Sequence, residues 1–157
     1  MRMRIRDDRG SYTIEALFIF PLLLVFFVLT FWFGTLMYTW SSINYTAMQY
    51  ALDIAKAGED KQEFRDAAAA RLMQLPLRSA SSVDTPTAPV TDPNKIVLWG
   101  PGIGQRFNRG DVITAGVVYP VKVPSPLLSI LGRAAFGSDT IYLRAQATAK
   151  SEVYFEP

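Results

Sequence analysis

Residues 9–38 read RGSYTIEALFIFPLLLVFFVLTFWFGTLMY, and this stretch decides the fold of the chain. From Ala16 to Tyr38 there are 23 residues without one charged side chain. A run of about 20 apolar residues is long enough to span the hydrocarbon core of a bilayer. The alternative is a buried helix of a soluble protein, but residues 22–33 are apolar on every face. The run therefore predicts one transmembrane helix, with its membrane part at about residues 16–38.

The charges before this run predict its orientation. The first ten residues hold four arginines and two aspartates, whereas residues 11–157 hold equal numbers of basic and acidic side chains. The excess of positive charge lies in the leader, and basic segments tend to stay in the cytoplasm. We therefore expect the residues from about 40 onward on the outer side of the membrane, in the periplasm or its equivalent.

Composition removes several classes of function. The chain has no cysteine and no histidine, which excludes disulfides, Cys-ligated metal sites and a Ser-His-Asp triad. After residue 10 no basic cluster is interleaved with aromatic residues, so nucleic acid is not an expected partner. We expect no catalytic residues, no metal, no cofactor and no small-molecule substrate.

Periodicity predicts two helices before a sheet. The first covers residues 11–58 and is capped by Ser11 or Thr13; beyond Tyr38 it turns amphipathic, and Gly58 ends it. Pro21 removes a backbone hydrogen bond, which predicts a kink there and allows a break at residues 19–21. Tyr38 and Trp40 fit an aromatic belt at the outer membrane interface.

Residues 59–157 are expected to form an exported α+β domain. Lys61–Leu75 predicts a second helix with Phe64, Ala68, Leu72 and Leu75 on one side, and residues 77–94 read as a Ser/Thr/Pro-rich linker with short strand pieces. Residues 95–99, 111–123 and 139–150 are strand candidates, the last two with an alternation of period two. An apolar connection at residues 124–137 would join them, and the fold class is α+β with a small antiparallel sheet.

The order Arg9-Gly10-Ser11-Tyr12-Thr13-Ile14-Glu15, placed between a basic leader and an uncharged run, resembles the processing site of type IV-type prepilins. The resemblance implies that prepilin peptidase removes residues 1–10 by cutting between Gly10 and Ser11. It also implies that Glu15, the fifth residue of the processed chain, pairs with the new amine of a neighbouring subunit during assembly. The alternative is an interfacial glutamate that reaches the headgroups or stabilises the start of the helix.

A narrower resemblance rests on residues 13–17, TIEAL, followed by residues 20–24, FPLLL. This pattern is similar to the TadE-like minor pilins, or pseudopilins, of tight-adherence systems. Residues 110–112, 118–120, 126–128, 136–137 and 141–150 resemble the second half of that family in the same order. The resemblance implies a role in assembling or priming a Flp/Tad-type pilus for adhesion. The partners it implies are prepilin peptidase, other pilins and minor pilins, an inner-membrane assembly platform and membrane lipid.

Two other classes of function stay open at this point. One is an unprocessed single-span scaffold of an envelope secretion machine, which the N-terminal sequence of the mature protein would separate from a pilin. The other is a membrane-anchored enzyme, which would need a site built from carboxylates or lysine because histidine and cysteine are absent.

Overall fold

The computed structural model describes residues 9–123 and 140–153, and it confirms the α+β class. Two helices precede a four-stranded sheet. The elements are α1 (Arg9–Ala57), α2 (Gln62–Met73), β1 (Ser82–Asp84), β2 (Lys95–Trp99), β3 (Val112–Lys122) and β4 (Thr140–Lys150). The residues group into two compact units, Met1–Leu36 and Met37–Pro157. Most of the leader and the connection predicted at residues 124–137 lie outside the described residues.

Helix α1 contributes residues to both units and is continuous through Pro21. The proline has no N–H, so the carbonyl four residues earlier lacks its usual helical partner. No break occurs at residues 19–21, while the predicted kink stays a prediction. The helix stops before Gly58, whose φ is 70° and whose N–H donates to the carbonyl of Ile54 at 2.8 Å. Glycine adopts this left-handed conformation without steric cost, which makes it a common end to a helix.

Within the second unit, α1 presents the apolar stripe that the periodicity predicts. Its members are 2% exposed or less: Ile43, Ala47, Tyr50, Ala51, Ile54 and Ala55. Fully burying one large aliphatic side chain contributes about 1.5–3 kcal/mol to folding. The stripe is therefore a main source of stability for this unit.

Helix α2 buries a different set of residues from the predicted one. Ala68 and Leu72 are buried as expected, but the third buried side chain is Arg65, whereas Phe64 and Leu75 are only half-buried. The difference arises because Arg65 has an internal ion-pair partner, described below, that compensates for its burial.

The sheet is mixed, not wholly antiparallel. Its strands lie in the order β1-β2-β3-β4; β2–β3 and β3–β4 are antiparallel, and β1–β2 is parallel. Strand β1 lies inside the segment predicted as a linker. Residues 85–94 return the chain to the start of β2, and this return makes the first pair parallel. The expectation of an antiparallel sheet was wrong for this pair and is confirmed for the other two.

One face of the sheet forms the core of the second unit. The alternating side chains of β3 are completely buried: Ile113, Ala115, Val117, Tyr119 and Val121. Residues paired across neighbouring strands share a face, so Leu98, opposite Val117, and Ala145, also opposite Val117, belong to it. The period-two pattern of residues 111–123 is confirmed as a strand.

The opposite face contains a close approach at Gly116. A Cβ added there would lie 2.5 Å from the carbonyl oxygen of Ala145 and 2.6 Å from Cζ2 of Trp99. Trp99 is the residue paired with Gly116 on β2. The absence of a side chain at residue 116 therefore allows the indole to approach the backbone of β3 closely.

Gly116→Ala is expected to destabilise the fold by about 1–3 kcal/mol, because the added methyl meets a backbone carbonyl of the paired strand that cannot move alone. The measurement is thermal unfolding of the full chain in detergent micelles. Gly102→Ala is the matched control, because the nearest side chain to its new Cβ, Oε1 of Gln105, would be 3.9 Å away. Equal melting temperatures for the two variants would contradict the predicted overlap.

Candidate functional site

The start of α1 carries the residues that the sequence singles out. Gly10 and Ser11 lie in its first turn, and Glu15 follows Ser11 by about one turn. Glu15 is exposed. In the sequence it is the last charged residue before Asp53. A single carboxylate thus stands at the head of 37 uncharged residues, Ala16–Leu52.

The helix beyond Glu15 exposes large apolar side chains around its circumference. Leu17, Phe18 and Phe31 are 71–74% exposed, and most other large apolar residues from 19 to 33 are 36–71% exposed. Leaving such surface in water is unfavourable by about 25 cal/mol for each Å². Among the described residues, one helix is long and apolar enough to cross a membrane, and it is α1. The surface fits a single-pass membrane protein, with lipid or other helices as its surroundings.

Polar groups in this apolar part are mostly satisfied within the helix. The hydroxyls of Thr30 and Thr35 donate to the carbonyls of Phe26 and Phe31, each at 2.9 Å. Such internal bonds suit a lipid environment, where no water is present to accept them. Among the described side chains, the indole N–H of Trp32 is buried without a hydrogen-bond partner.

The aromatic residues proposed as an interface belt open the second unit. Tyr38 is 61% exposed and Trp40 is 47% exposed, while Thr39 between them is fully buried. Both aromatic side chains are therefore exposed beside a buried residue. This geometry is compatible with the headgroup region of a bilayer, where amphipathic rings accumulate.

The second unit contains a buried polar cluster of Tyr50, Asp60 and Arg65. Arg65 donates to Asp60 Oδ2 from Nε at 3.0 Å and from Nη2 at 2.6 Å. The hydroxyl of Tyr50 lies 3.0–3.1 Å from both carboxylate oxygens. Arg65 also donates to the backbone carbonyls of Thr85, at 2.9 Å, and Pro101. One guanidinium thus connects α1, the turn after it, α2 and two later loops.

Burial and charge shift the pKa values of this cluster. Burial, together with the nearby carboxylate of Asp60, raises the pKa of Tyr50 well above its ordinary value. Burial disfavours the charged form of Arg65, but its hydrogen bond to Asp60 and the surrounding negative charge outweigh this, and its pKa is raised. The phenol therefore stays neutral and the guanidinium stays charged at physiological pH. The cluster is therefore a structural contact that joins these elements inside the unit.

Comparison with known families gives one match. The model of a family described as TadE-like protein matches residues 10–51. The matched range begins at Gly10 and includes Glu15, Pro21 and the whole apolar run. Residues 10–51 form a TadE-like segment. No curated protein and no solved structure matches the chain.

The match relates residues 10–51 to the TadE-like family, the family that the pattern of Glu15 and Pro21 resembles. The match ends at Ala51, so the resemblance of residues 110–150 to the same family stays a prediction. In the described part of the chain, no group of three or more acidic side chains is arranged to hold a metal ion.

The structure places the predicted site residues along one helix and does not gather them into a pocket. Glu15, Pro21, Tyr38 and Trp40 follow one another on α1. Sequence reasoning did not find the buried cluster. The sequence did contain one indication of the cluster. Arg65 lies three and seven residues before Ala68 and Leu72, so helical periodicity places its charge on the apolar side of α2.

Asp60→Asn is expected to destabilise the second unit by about 3–5 kcal/mol, because it leaves the buried guanidinium of Arg65 without a counter-charge. The side chains of Asp60 and Arg65 are 0% and 3% exposed. Thermal or denaturant unfolding of the full chain in detergent measures the loss.

Asp84→Asn is the matched control for this experiment. Asp84 and Lys95 form a pair at 3.4 Å, but their side chains are 54% and 46% exposed. Exposed pairs contribute about 0–1 kcal/mol, so this variant is expected to unfold nearly as the parent does. A loss of similar size in both variants would mean that the buried cluster has no special role in the fold.

Proposed function

We propose that this protein is a minor pilin, or pseudopilin, of a Flp/Tad-type pilus. Prepilin peptidase processes it after Gly10, and the processed chain takes part in assembling or priming a pilus that supports adhesion. The observation that carries the proposal is the TadE-like match, which begins at Gly10 and covers Glu15 and the apolar run. Its partners would be the peptidase, other pilins and minor pilins, and the inner-membrane assembly platform.

The proposed topology follows from charge and length. The arginine-rich leader keeps the N-terminus in the cytoplasm, and α1 crosses the inner membrane at about residues 16–38. Residues 59–157 would then lie in the periplasm together with the end of α1. Tyr38 and Trp40 would mark the outer interface, and both are exposed as this position requires.

Glu15 is proposed as an assembly contact. A carboxylate near the middle of a bilayer costs about 2.5–3.5 kcal/mol, and less near the edge, unless it is paired. Cleavage after Gly10 creates an amine on Ser11, and the amine of a neighbouring subunit would neutralise Glu15 as the helices pack. The pairing would fix the axial position of the subunit. The exposure of Glu15 supports this, because its charge is not compensated within its own chain by any described residue.

Processing is tested by the intact mass of the protein recovered from membranes of its native host, with and without the prepilin peptidase. We expect a peptidase-dependent loss of residues 1–10. Gly10→Val should block the loss, because a branched side chain hinders the backbone that the peptidase must grip, whereas Gly34→Ala should not. A full-length mass in both strains would overturn the pilin proposal and favour an unprocessed single-span scaffold.

The role of Glu15 is tested with Glu15→Gln. We expect normal processing but at least about a tenfold loss of pili in the sheared surface fraction, since a hydrogen bond to a charged partner contributes about 1.5–3 kcal/mol. Asp53→Asn, which alters the next acidic residue of the same helix, is the control. Normal piliation in a processed Glu15→Gln strain would reduce Glu15 to an interfacial charge.

A further inference from the structure

The second unit has a polar groove at the end where α1 enters it. The groove has a volume of about 530 Å³. It is lined on the α1 side by Tyr38, Ser41, Ser42, Tyr45 and Thr46, and at the end of α2 by Arg71, Gln74 and Leu75. Hydroxyls and one guanidinium therefore surround a space open to solvent. This combination provides donors for an oxyanion.

Two further cations lie at the same end of the unit. The hydroxyl of Tyr119 donates to the carbonyls of Leu75 and Pro76 at 3.2–3.3 Å, which brings the end of β3 to the end of α2. Arg78 forms an isolated bridge with Val121, the residue before Lys122. Arg71, Arg78 and Lys122 are exposed, and in the described residues none of them forms an ion pair. We call these three side chains the basic end.

Most acidic side chains that the structure describes in this unit lie away from the basic end. Five acidic residues lie near the end of α1 or in segments bonded to that end: Asp53, Glu59, Asp60, Asp111 and Glu152. Glu63 and Asp66 lie in the first half of α2, and Asp84 pairs with Lys95. Asp92 is at the basic end, and its carboxylate accepts the N–H of Asn94 at 2.8 Å. Among residues 37–123 and 140–153, the basic end thus has three cations against the one carboxylate of Asp92.

Local roles explain part of this arrangement but not all of it. Arg71 stands in the last turn of α2, where a cation stabilises the helix dipole, and Arg78 donates to the carbonyl of Met73 at 2.6 Å. Lys122 comes from a strand and has no such role. The hydroxyls across the groove belong to α1, directly after the apolar run ends. The common property of these groups is their position beside the emerging helix.

We propose that the groove and the basic end bind the phosphate headgroups of anionic phospholipids in the leaflet from which α1 emerges. The inference rests on the membrane-spanning role of α1 given under Proposed function. Residues 38–46 follow the apolar run directly, so their groove lies at headgroup level when the run fills the bilayer. Arg71 faces the lipid phosphate, the hydroxyls of Ser41 and Ser42 donate to it, and Arg78 and Lys122 add attraction to the charged surface.

The test uses the full-length chain in nonionic detergent, mixed with equal amounts of short-chain phosphatidylglycerol and phosphatidylcholine. Native mass spectrometry gives the ratio of the two lipid-bound species, and this ratio removes the contribution of the acyl chains. The parent is expected to favour phosphatidylglycerol. The double variant Arg71→Gln/Lys122→Gln should reduce the ratio by about fivefold for each cation removed, which corresponds to about 1 kcal/mol per basic residue near an anionic surface.

The matched control is Arg109→Gln/Lys150→Gln, which removes the same charge from the opposite end of the sheet. Both residues are exposed, Lys150 is paired with Val112, and Gly110, next to Arg109, bonds to Ser151. The arginines of the leader are unchanged in every variant, so they cannot produce a difference. Equal ratios in both double variants, or no preference in the parent, would overturn the proposal.

Two further measurements distinguish a lipid site from a free-phosphate site and test the membrane anchor separately. Inorganic phosphate that displaces phosphatidylglycerol at equal concentration would identify a free-phosphate site and overturn the assignment to lipid. Alkaline carbonate extraction of native membranes tests the anchor itself. If the chain resists extraction but shows no lipid preference, only the lipid-binding proposal is wrong. If the chain is extracted, the proposal that α1 spans the membrane is wrong as well. Unfolding temperatures of both double variants, expected to match the parent, exclude misfolding as the cause.

Discussion

The buried ion pair between Asp60 and Arg65 is the interaction on which the second unit depends. It lies where α1 ends, and through Tyr50, Thr85 and Pro101 it holds segments that are distant in sequence. The two loops that Arg65 reaches, at Thr85 and at Pro101, contain no helix or long strand that would fix their positions. A charge placed inside the protein is therefore tolerated because it satisfies several backbone and side-chain groups at once.

Helix α1 meets two different physical requirements along one uncharged stretch. Up to about residue 36 its large side chains are exposed on all sides, which suits lipid and neighbouring helices. From Thr39 onward it buries a regular stripe and exposes the remainder. The TadE-like match extends from residue 10 to 51 and so includes both parts. The TadE-like part of the chain thus also supplies part of the core of the second unit.

Sequence predicted the features governed by local periodicity. The apolar run, the stripe from Ile43 to Ala55, the stop at Gly58 and the strands at residues 112–122 and 140–150 all depend on spacing within one element. The parallel β1 pair and the burial of Arg65 were not predictable in this way. The β1 pair depends on where residues 85–94 return, and the burial of Arg65 depends on its contacts with Asp60, Thr85 and Pro101; neither has a periodic signal. The basic end was missed for a related reason: Lys122 is far in sequence from Arg71 and Arg78, and β3 brings it to the end of α2.

The boundary between the two units falls between Leu36 and Met37, in the interior of a helix. Separating the units there would create a new helix start and remove the carbonyl partners of the first four N–H groups. Thr39 and Ser41 are the nearest side chains able to cap such an end, and Thr39 is already buried. The apolar part of α1 and the part that belongs to the second unit therefore share one ladder of backbone hydrogen bonds. Proteolytic separation of the two parts would require unwinding of the helix that supplies core residues to the second unit, so the helix itself is expected to resist cleavage at this boundary.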